Sequence, residues 1–140
     1  MADFGSVAVM AAKLCMDNTS VNPREAWDKS CEKLGLSDYQ RKKGCPKSAF
    51  LGLCEEGFVY NVPKGNYTRS VKNKSYGIAT VKILAKNPSL VNNVDNLWAA
   101  IREEVPDRCK THNGQMDVVI ALWVNNMIKR QYQNKQGNEK

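Results

Sequence analysis

Apolar residues recur along most of the chain at the 3.6-residue spacing of a helix, and this period is the main sequence indication of an amphipathic helix. The spacing predicts six main helices and one short helix at 37–43. The six cover residues 5–16, 23–34, 46–57, 70–85, 91–104 and 113–129. Short connections between them favour a mainly α fold, a compact orthogonal bundle of about six helices.

The helix at 23–34 has the clearest start signal in the chain. Asn22 can act as the N-cap, Pro23 suits the first helical position, and Glu25 completes a capping box. Gly35 is a typical residue just after a helix because it tolerates left-handed backbone. The tryptophans and two of the cysteines fall on apolar stripes and are assigned to the core: Trp27, Trp98, Trp123, Cys15 and Cys31.

Two segments leave an alternative open. The segment 58–68 contains Pro63 and Gly65, which favours an irregular crossing loop, with a short β-hairpin near 58–68 as the alternative. The run 118–124 has the composition of a buried strand, but its period continues to Ile128 and exceeds the length of a typical strand. We therefore predict that it forms the central buried helix.

The domain organisation and the compartment follow from composition. No repeat or composition break divides the chain, which predicts a single helical domain at 1–130 and a polar, frayed tail at 131–140. The longest apolar run is far shorter than the roughly 18 residues of a membrane span. Five widely spaced cysteines favour reduced thiols in the cytoplasm, with one disulfide and three thiols as the alternative.

Positive charge is concentrated in one quarter of the chain. The segment 41–74 holds eight basic and two acidic residues, a net charge of +6, whereas the rest holds 13 and 12, a net charge of +1. The basic residues are Arg41, Lys42, Lys43, Lys47, Lys64, Arg69, Lys72 and Lys74. Such segregation favours an anionic partner. The alternative is a solvated basic face whose lysine stems cover apolar surface.

Aromatic residues lie between these basic residues. Tyr67 and Tyr76 could stack on nucleic-acid bases or line a pocket while the cations neutralise phosphates. Two predicted helix starts, near Pro46 and Ser70, would add backbone N–H groups that attract anions. The segment matches no helix-turn-helix, zinc-finger or RNA-recognition pattern.

Two stretches are more specific than helix packing requires: GCPKSAFLGLCEEG at 44–57 and HNGQMDVVIALW at 112–123. With GNYTRS at 65–70 and KNKSY at 72–76, they resemble a family of small bacterial proteins of unknown function. The resemblance covers about residues 22–128. It implies a bacterial or phage source, and it implies no activity.

Cys45 is a candidate nucleophile. It lies at a predicted helix start beside Lys43 and Lys47, and both the helix dipole and nearby cations favour a thiolate. A nucleophile also needs a base, and His112 is the only histidine in the chain. The alternative is a thiol packed beneath the helix.

A second group of polar residues precedes the last apolar helix: Cys109, His112, Asn113, Gln115 and Asp117. Asn113 suits an N-cap and Asp117 suits a first turn, which is a structural explanation. The alternative is a pocket lined by His112, Gln115 and Asp117, with Asn113 as a further polar residue of the pocket and with His112 and Asp117 as weak catalytic candidates. Cys109 and His112 have ligand-like spacing, but the gap between Cys45 and Cys54 fits no usual zinc site, so no metal or cofactor is expected.

Three functions are consistent with these observations. The leading hypothesis is a non-enzymatic binding module that presents segment 41–74 to a nucleic acid or a phosphorylated ligand. The second is a small cysteine-dependent enzyme that uses Cys45 with His112. The third is a regulator whose basic face docks an acidic protein. No membrane partner is expected.

Overall fold

A computed structural model of the 140-residue chain describes residues 3–17, 21–105 and 114–129. Within these ranges the chain forms seven α-helices and one 3-10 helix. The α-helices are α1 (Phe4–Asp17), α2 (Pro23–Lys33), α3 (Asp38–Arg41), α4 (Gly44–Glu55), α5 (Val71–Lys86), α6 (Val94–Glu104) and α7 (Gln115–Val124), and the 3-10 helix is Pro88–Asn92. The predicted mainly α bundle is confirmed.

Helix α7 lies at the centre of the bundle. It packs against α1, α4, α5 and α6, and it buries Val118, Val119 and Leu122 completely. The prediction that 118–124 is a central helix rather than a strand is therefore confirmed, but only one side of α7 is buried, and Val124 is exposed. Elsewhere in the bundle, α4 packs closely against α5, and α1 packs closely against α2.

Aromatic contacts join the outer helices to this core. The rings of Trp27 in α2 and Phe50 in α4 have centroids 5.5 Å apart. Tyr76 in α5 meets Trp98 in α6 edge-on, with centroids 5.3 Å apart. Aromatic pairs at these separations add stabilisation beyond the area they bury. Cys15 and Cys31 are buried as predicted.

The start of α2 is capped as predicted, but not through a capping box with Glu25. Asn22 Oδ1 accepts a hydrogen bond from the Arg24 backbone N–H at 2.8 Å. The Glu25 carboxylate instead lies 3.7 Å from Lys29 Nζ, one helical turn along. A capping box does occur at α3, between Ser37 and Gln40.

Two helix starts differ from the prediction. Helix α4 begins at Gly44 rather than at Pro46, so Pro46 lies within its first turn. The predicted helix 91–104 is divided into the 3-10 helix and α6. The division occurs because Asn93 Oδ1 accepts a hydrogen bond from Asn96 N–H at 3.1 Å and so caps a new helix.

Helix α7 ends earlier than the predicted boundary at residue 129. Asn126 has left-handed backbone, with φ of 59°, and Asn is one of the few residues other than Gly that adopts it readily. The Met127 N–H then donates to the Leu122 carbonyl at 2.9 Å, which closes the helix end.

The hairpin alternative for 58–68 is wrong, because the described part of this segment forms no strand pair with itself. Val59 instead forms an isolated antiparallel bridge with Ile128. Tyr60 N–H donates to Met127 O at 3.1 Å, and Lys129 N–H donates to Phe58 O at 2.8 Å. The irregular loop is thus fastened to the segment after α7. The predicted tail at 131–140 lies outside the described residues.

Candidate anion-binding site

Three cationic residues from separate parts of the chain line one cavity of about 490 Å³. Arg24 comes from the first turn of α2, Lys47 from α4, and Arg69 from the loop before α5. Polar residues and one leucine complete the lining: Ser48, Leu51, Tyr67, Thr68 and Ser70. We call this cavity the basic pocket. None of these lining residues carries a carboxylate.

Two hydroxyl groups of the basic pocket are held as hydrogen-bond acceptors. Thr68 Oγ1 accepts from the Ser70 N–H at 3.1 Å. Ser70 Oγ accepts from the Asn73 N–H at 3.3 Å and from Asn73 Nδ2 at 3.0 Å. A hydroxyl that accepts still has its own hydrogen to donate. Both groups can therefore donate to an anion in the pocket.

Glu55 fixes the wall of the basic pocket that comes from the loop before α5. Its Oε1 accepts hydrogen bonds from the backbone N–H groups of Tyr67, at 2.7 Å, and Thr68, at 3.1 Å. Its Oε2 lies 2.7 Å from Lys74 Nζ. Folding lowers the pKa of Glu55 below its usual value of 4.5. The hydrogen bond from Lys74 is the main cause, and the two backbone hydrogen bonds contribute less, while burial acts in the opposite direction.

Lys74 is bound by two carboxylates of the protein itself. Its Nζ also lies 2.8 Å from Glu56 Oε2. Hydrogen bonds to Glu55 and then Glu56 raise its pKa. A Cβ on Gly52 would lie 2.8 Å from the Lys74 Cα, so only glycine lets α5 approach α4 this closely. The assignment of Lys74 to the anion-binding set therefore needs correction, because two carboxylates already neutralise it.

Lys47 is partly engaged. Its Nζ lies 2.9 Å from Asp28 Oδ1. The Lys47 side chain is 22% exposed and that of Asp28 is 59% exposed, so the pair stands at the surface beside the basic pocket. An ion pair this exposed contributes little stability, and an incoming anion can compete with Asp28 for the ammonium group.

The other predicted cations are not among the residues that line the basic pocket. Arg41 and Lys42 are exposed at the end of α3, and Lys43 lies over the Tyr39 ring, 5.3 Å from its centroid. Lys64 and Lys72 are exposed as well. The backbone start of α4, which follows Lys43, has no side-chain cap.

Two of the predicted pocket residues belong to the core. Tyr76 is completely buried against Trp98, so it cannot stack on a base. Gln115 is buried, and its Nε2 donates to Asn73 Oδ1 at 3.0 Å, which links α7 to α5. Tyr67 does line the basic pocket, and its hydroxyl donates to Pro63 O at 2.7 Å. Asn113 lies outside the described residues.

The described cysteines are unpaired and differ in burial. Burial raises the pKa of Cys15 to about 11, and it also raises the pKa values of Cys31 and Cys54. Cys45 is only half-buried, in the first turn of α4. His112, its predicted base, lies outside the described residues, so the proposed pair stays a prediction.

The two described members of the second group of polar residues, Gln115 and Asp117, lie in different surroundings, because Gln115 is buried and Asp117 is exposed. Asp117 is exposed on the first turn of α7 and lines a different cavity from the basic pocket. Cys109, the predicted partner of His112 in a metal site, lies outside the described residues. Within the described ranges, no group of three or more His, Cys, Asp or Glu could hold a metal ion. None of the described helices has the length and apolar character needed to cross a membrane.

Comparison with known families supports the resemblance to a family of unknown function. A model of the family of unknown function DUF6979 matches residues 1–129. The chain belongs to this family. For this DUF6979 member, the match extends further toward the N-terminus than the resemblance over 22–128 did. No curated protein and no solved structure matches the chain.

In this DUF6979 member, sequence reasoning missed Arg24 as a residue of the basic pocket. It lies outside segment 41–74 and is followed directly by Glu25, so local charge did not single it out. Arg24 reaches the basic pocket because α2 packs beside α4, and this packing is not specified by the local sequence. The one available sequence signal was the helix start at Asn22 and Pro23, which put Arg24 at an exposed helix N-terminus.

Proposed function

We propose that this protein is a small, non-enzymatic binding module for an anionic ligand, and that the basic pocket holds a phosphate group of that ligand. The observation that carries the proposal is the convergence of Arg24, Lys47 and Arg69 on one cavity whose described lining has no acid. These cations are separated along the chain, so their proximity is produced by folding and not by a local run of charge.

The lining matches the chemistry of phosphate. Arginine guanidinium groups form paired hydrogen bonds to phosphate oxygens, and lysine adds a compact positive charge. The Thr68 and Ser70 hydroxyl groups supply neutral donors beside them. A volume of about 490 Å³ falls in the usual range for small-molecule sites. The pocket therefore fits a small phosphorylated ligand.

The burial of Tyr76 favours a small ligand over a nucleic acid. Sequence-tolerant binding of single strands uses several aromatic faces along a basic groove. Tyr76 is in the core, and the Tyr67 ring packs on Gly65, where an added Cβ would lie 2.8 Å from Tyr67 Cζ. Nucleic acid is therefore the alternative ligand, and a binding experiment must distinguish it from a small phosphorylated ligand.

The proposed setting is the cytoplasm of a bacterium. The unpaired state of the four described cysteines supports a reducing compartment, and the resemblance of the motifs to small bacterial proteins supports the source. The partial exposure of Cys45 is the only support for the enzyme hypothesis. The docking of an acidic protein is supported by the exposed cations Arg41, Lys42, Lys64 and Lys72.

The proposal is tested by titrating the full chain with inorganic pyrophosphate, followed by amide NMR. We expect saturable shifts at pocket residues, and a double variant Arg24→Gln, Arg69→Gln that binds at least about tenfold more weakly, a change of about 1.4 kcal/mol. The matched control is Lys33→Gln, Lys82→Gln, which removes the same charge from exposed positions of α2 and α5. We expect it to bind as the unchanged protein does.

Equal weakening in both double variants would contradict the proposal, since it would show attraction to net charge alone. The affinity for a labelled oligonucleotide, measured by fluorescence anisotropy across a salt series, tests the alternative that the ligand is a nucleic acid. If the oligonucleotide binds much more tightly than pyrophosphate and its affinity falls steeply with salt, the partner is a nucleic acid and the slope estimates the number of phosphate contacts.

A further inference from the structure

Asp28 supplies a carboxylate to one of the three cations of the basic pocket. Its Oδ1 accepts a hydrogen bond from Lys47 Nζ at 2.9 Å, and the pair joins α2 to α4. Asp28 follows Arg24 by four residues, and residues at this spacing share one face of a helix. The face of α2 that brings Arg24 to the pocket therefore also brings a carboxylate to Lys47.

The other two cations of the basic pocket have no such partner within the described ranges. The ion pairs there are Lys29–Glu25, Lys47–Asp28, Lys74–Glu55 and Lys74–Glu56. Neither Arg24 nor Arg69 is among them. Among the described acids, Asp28 is therefore the one that an anion in the pocket meets as a rival for a lining cation.

The Lys47–Asp28 pair is easier to separate than the Lys74–Glu55 pair. The Glu55 side chain is only 11% exposed, and its carboxylate also accepts hydrogen bonds from two backbone N–H groups. The Asp28 side chain is 59% exposed, so water can hydrate its carboxylate when Lys47 turns away. Exposed ion pairs of this kind contribute little free energy.

We propose that Asp28 is an internal competitor that lowers the affinity of the basic pocket, because its carboxylate and the phosphate group of the ligand compete for Lys47. The inference rests on the proposed function of the pocket. A phosphate monoester carries a charge of about −1.5 to −2 at neutral pH and three strong acceptor oxygens, whereas Asp28 carries a single charge. A bound phosphate group therefore draws Lys47 away from Asp28, and water hydrates the released carboxylate.

The test is the affinity of the full chain for inorganic pyrophosphate in the variant Asp28→Asn, measured by amide NMR. We expect binding about two- to fivefold tighter than in the unchanged protein, as for the removal of an exposed competing ion pair. The matched control is Glu32→Gln, which removes the same charge from an exposed position one turn further along α2. We expect a much smaller change in the control, because Glu32 forms no described ion pair with Lys47.

A variant without the Lys47 ammonium group separates competition from general repulsion. In Lys47→Gln, the addition of Asp28→Asn should no longer tighten pyrophosphate binding, because no ammonium group remains to compete for. General repulsion between Asp28 and the ligand does not depend on Lys47, and it would tighten binding equally in both backgrounds. The double-mutant cycle therefore measures the coupling between Asp28 and Lys47.

Three results would overturn the inference and leave the proposed function intact, because pyrophosphate would still bind. They are an affinity that Asp28→Asn leaves unchanged or lowers, equal tightening in Glu32→Gln, and tightening that persists in the Lys47→Gln background. If pyrophosphate binds neither the unchanged protein nor Asp28→Asn, the proposed function fails and this inference fails with it. Binding by Asp28→Asn alone would support both, since it would show that Asp28 blocks the pocket.

Discussion

At the scale of single residues, the described cysteines show how burial separates side chains of the same type. Cys15, Cys31 and Cys54 are buried, and desolvation raises the pKa of each thiol. Cys45 lies half-buried in the first turn of α4, where Lys47 also lies. Because the thiolate is the reactive form, the four thiols are expected to differ in reactivity.

We expect iodoacetamide at pH 8 to modify Cys45 at least about tenfold faster than Cys15, Cys31 or Cys54. Peptide mass mapping over time measures each rate, and the same reaction in denaturant provides the control in which the four rates converge. A rate for Cys45 above its own denatured value would support the hypothesis of a nucleophile activated by His112. A buried thiol that reacts as fast as Cys45 would contradict the burial described above.

The roles of several polar residues depend on partners that are distant in sequence. Lys74 is neutralised by carboxylates 18 and 19 residues away, and Gln115 bonds to Asn73, 42 residues away. Residue type and local charge therefore predicted a cationic region and Tyr67 in its lining, but could not exclude Lys74 or include Arg24. Such pairings are made by helix packing, which a single sequence does not specify.

At the scale of elements, periodicity was sufficient to find the helices, but single residues decide where they end. Asn93 and Asn126 each interrupt a continuous apolar period, one as an N-cap and the other by left-handed backbone. Asn is also tolerated inside helices, at a modest cost in propensity. The sequence could therefore predict α6 and α7 and not the points where these helices begin and end.

Glu55 joins three elements and is expected to stabilise them together. It links α4 to the loop before α5 and, through Lys74, to α5 itself. We expect Glu55→Gln to lower the free energy of unfolding by about 1–3 kcal/mol at pH 7, because charged hydrogen bonds within a half-buried network are lost. Urea unfolding measures the change.

The matched control is Glu56→Gln, which removes a more exposed partner of the same lysine and should cost under about 1 kcal/mol. The effect of Glu55 also depends on pH. Since folding lowers the pKa of Glu55, its stabilisation is fully present above about pH 4.5 and is lost as the pH falls through the lower folded value. A difference between the unchanged protein and Glu55→Gln that persists in strong acid would contradict this account.

At the scale of the whole molecule, α7 joins helices from the start and the middle of the chain in one core. It packs against α1 near the start of the chain and against α4 and α5, which flank the basic pocket. The three tryptophans lie on three different helices, α2, α6 and α7. Their fluorescence therefore reports on well-separated parts of the bundle at once.

The central position of α7 predicts that the molecule unfolds as a single unit. Leu122→Ala, at a fully buried position, should lower the free energy of unfolding by about 2–5 kcal/mol. Val124→Ala, two residues along on the exposed side of α7, should change it by less than about 0.5 kcal/mol. In both variants, tryptophan fluorescence and helical circular dichroism should follow the same urea transition, as expected for one cooperative domain. Separate transitions, or a Leu122→Ala variant that loses only part of its helical signal at its first midpoint, would show that α7 does not hold the flanking helices in one core.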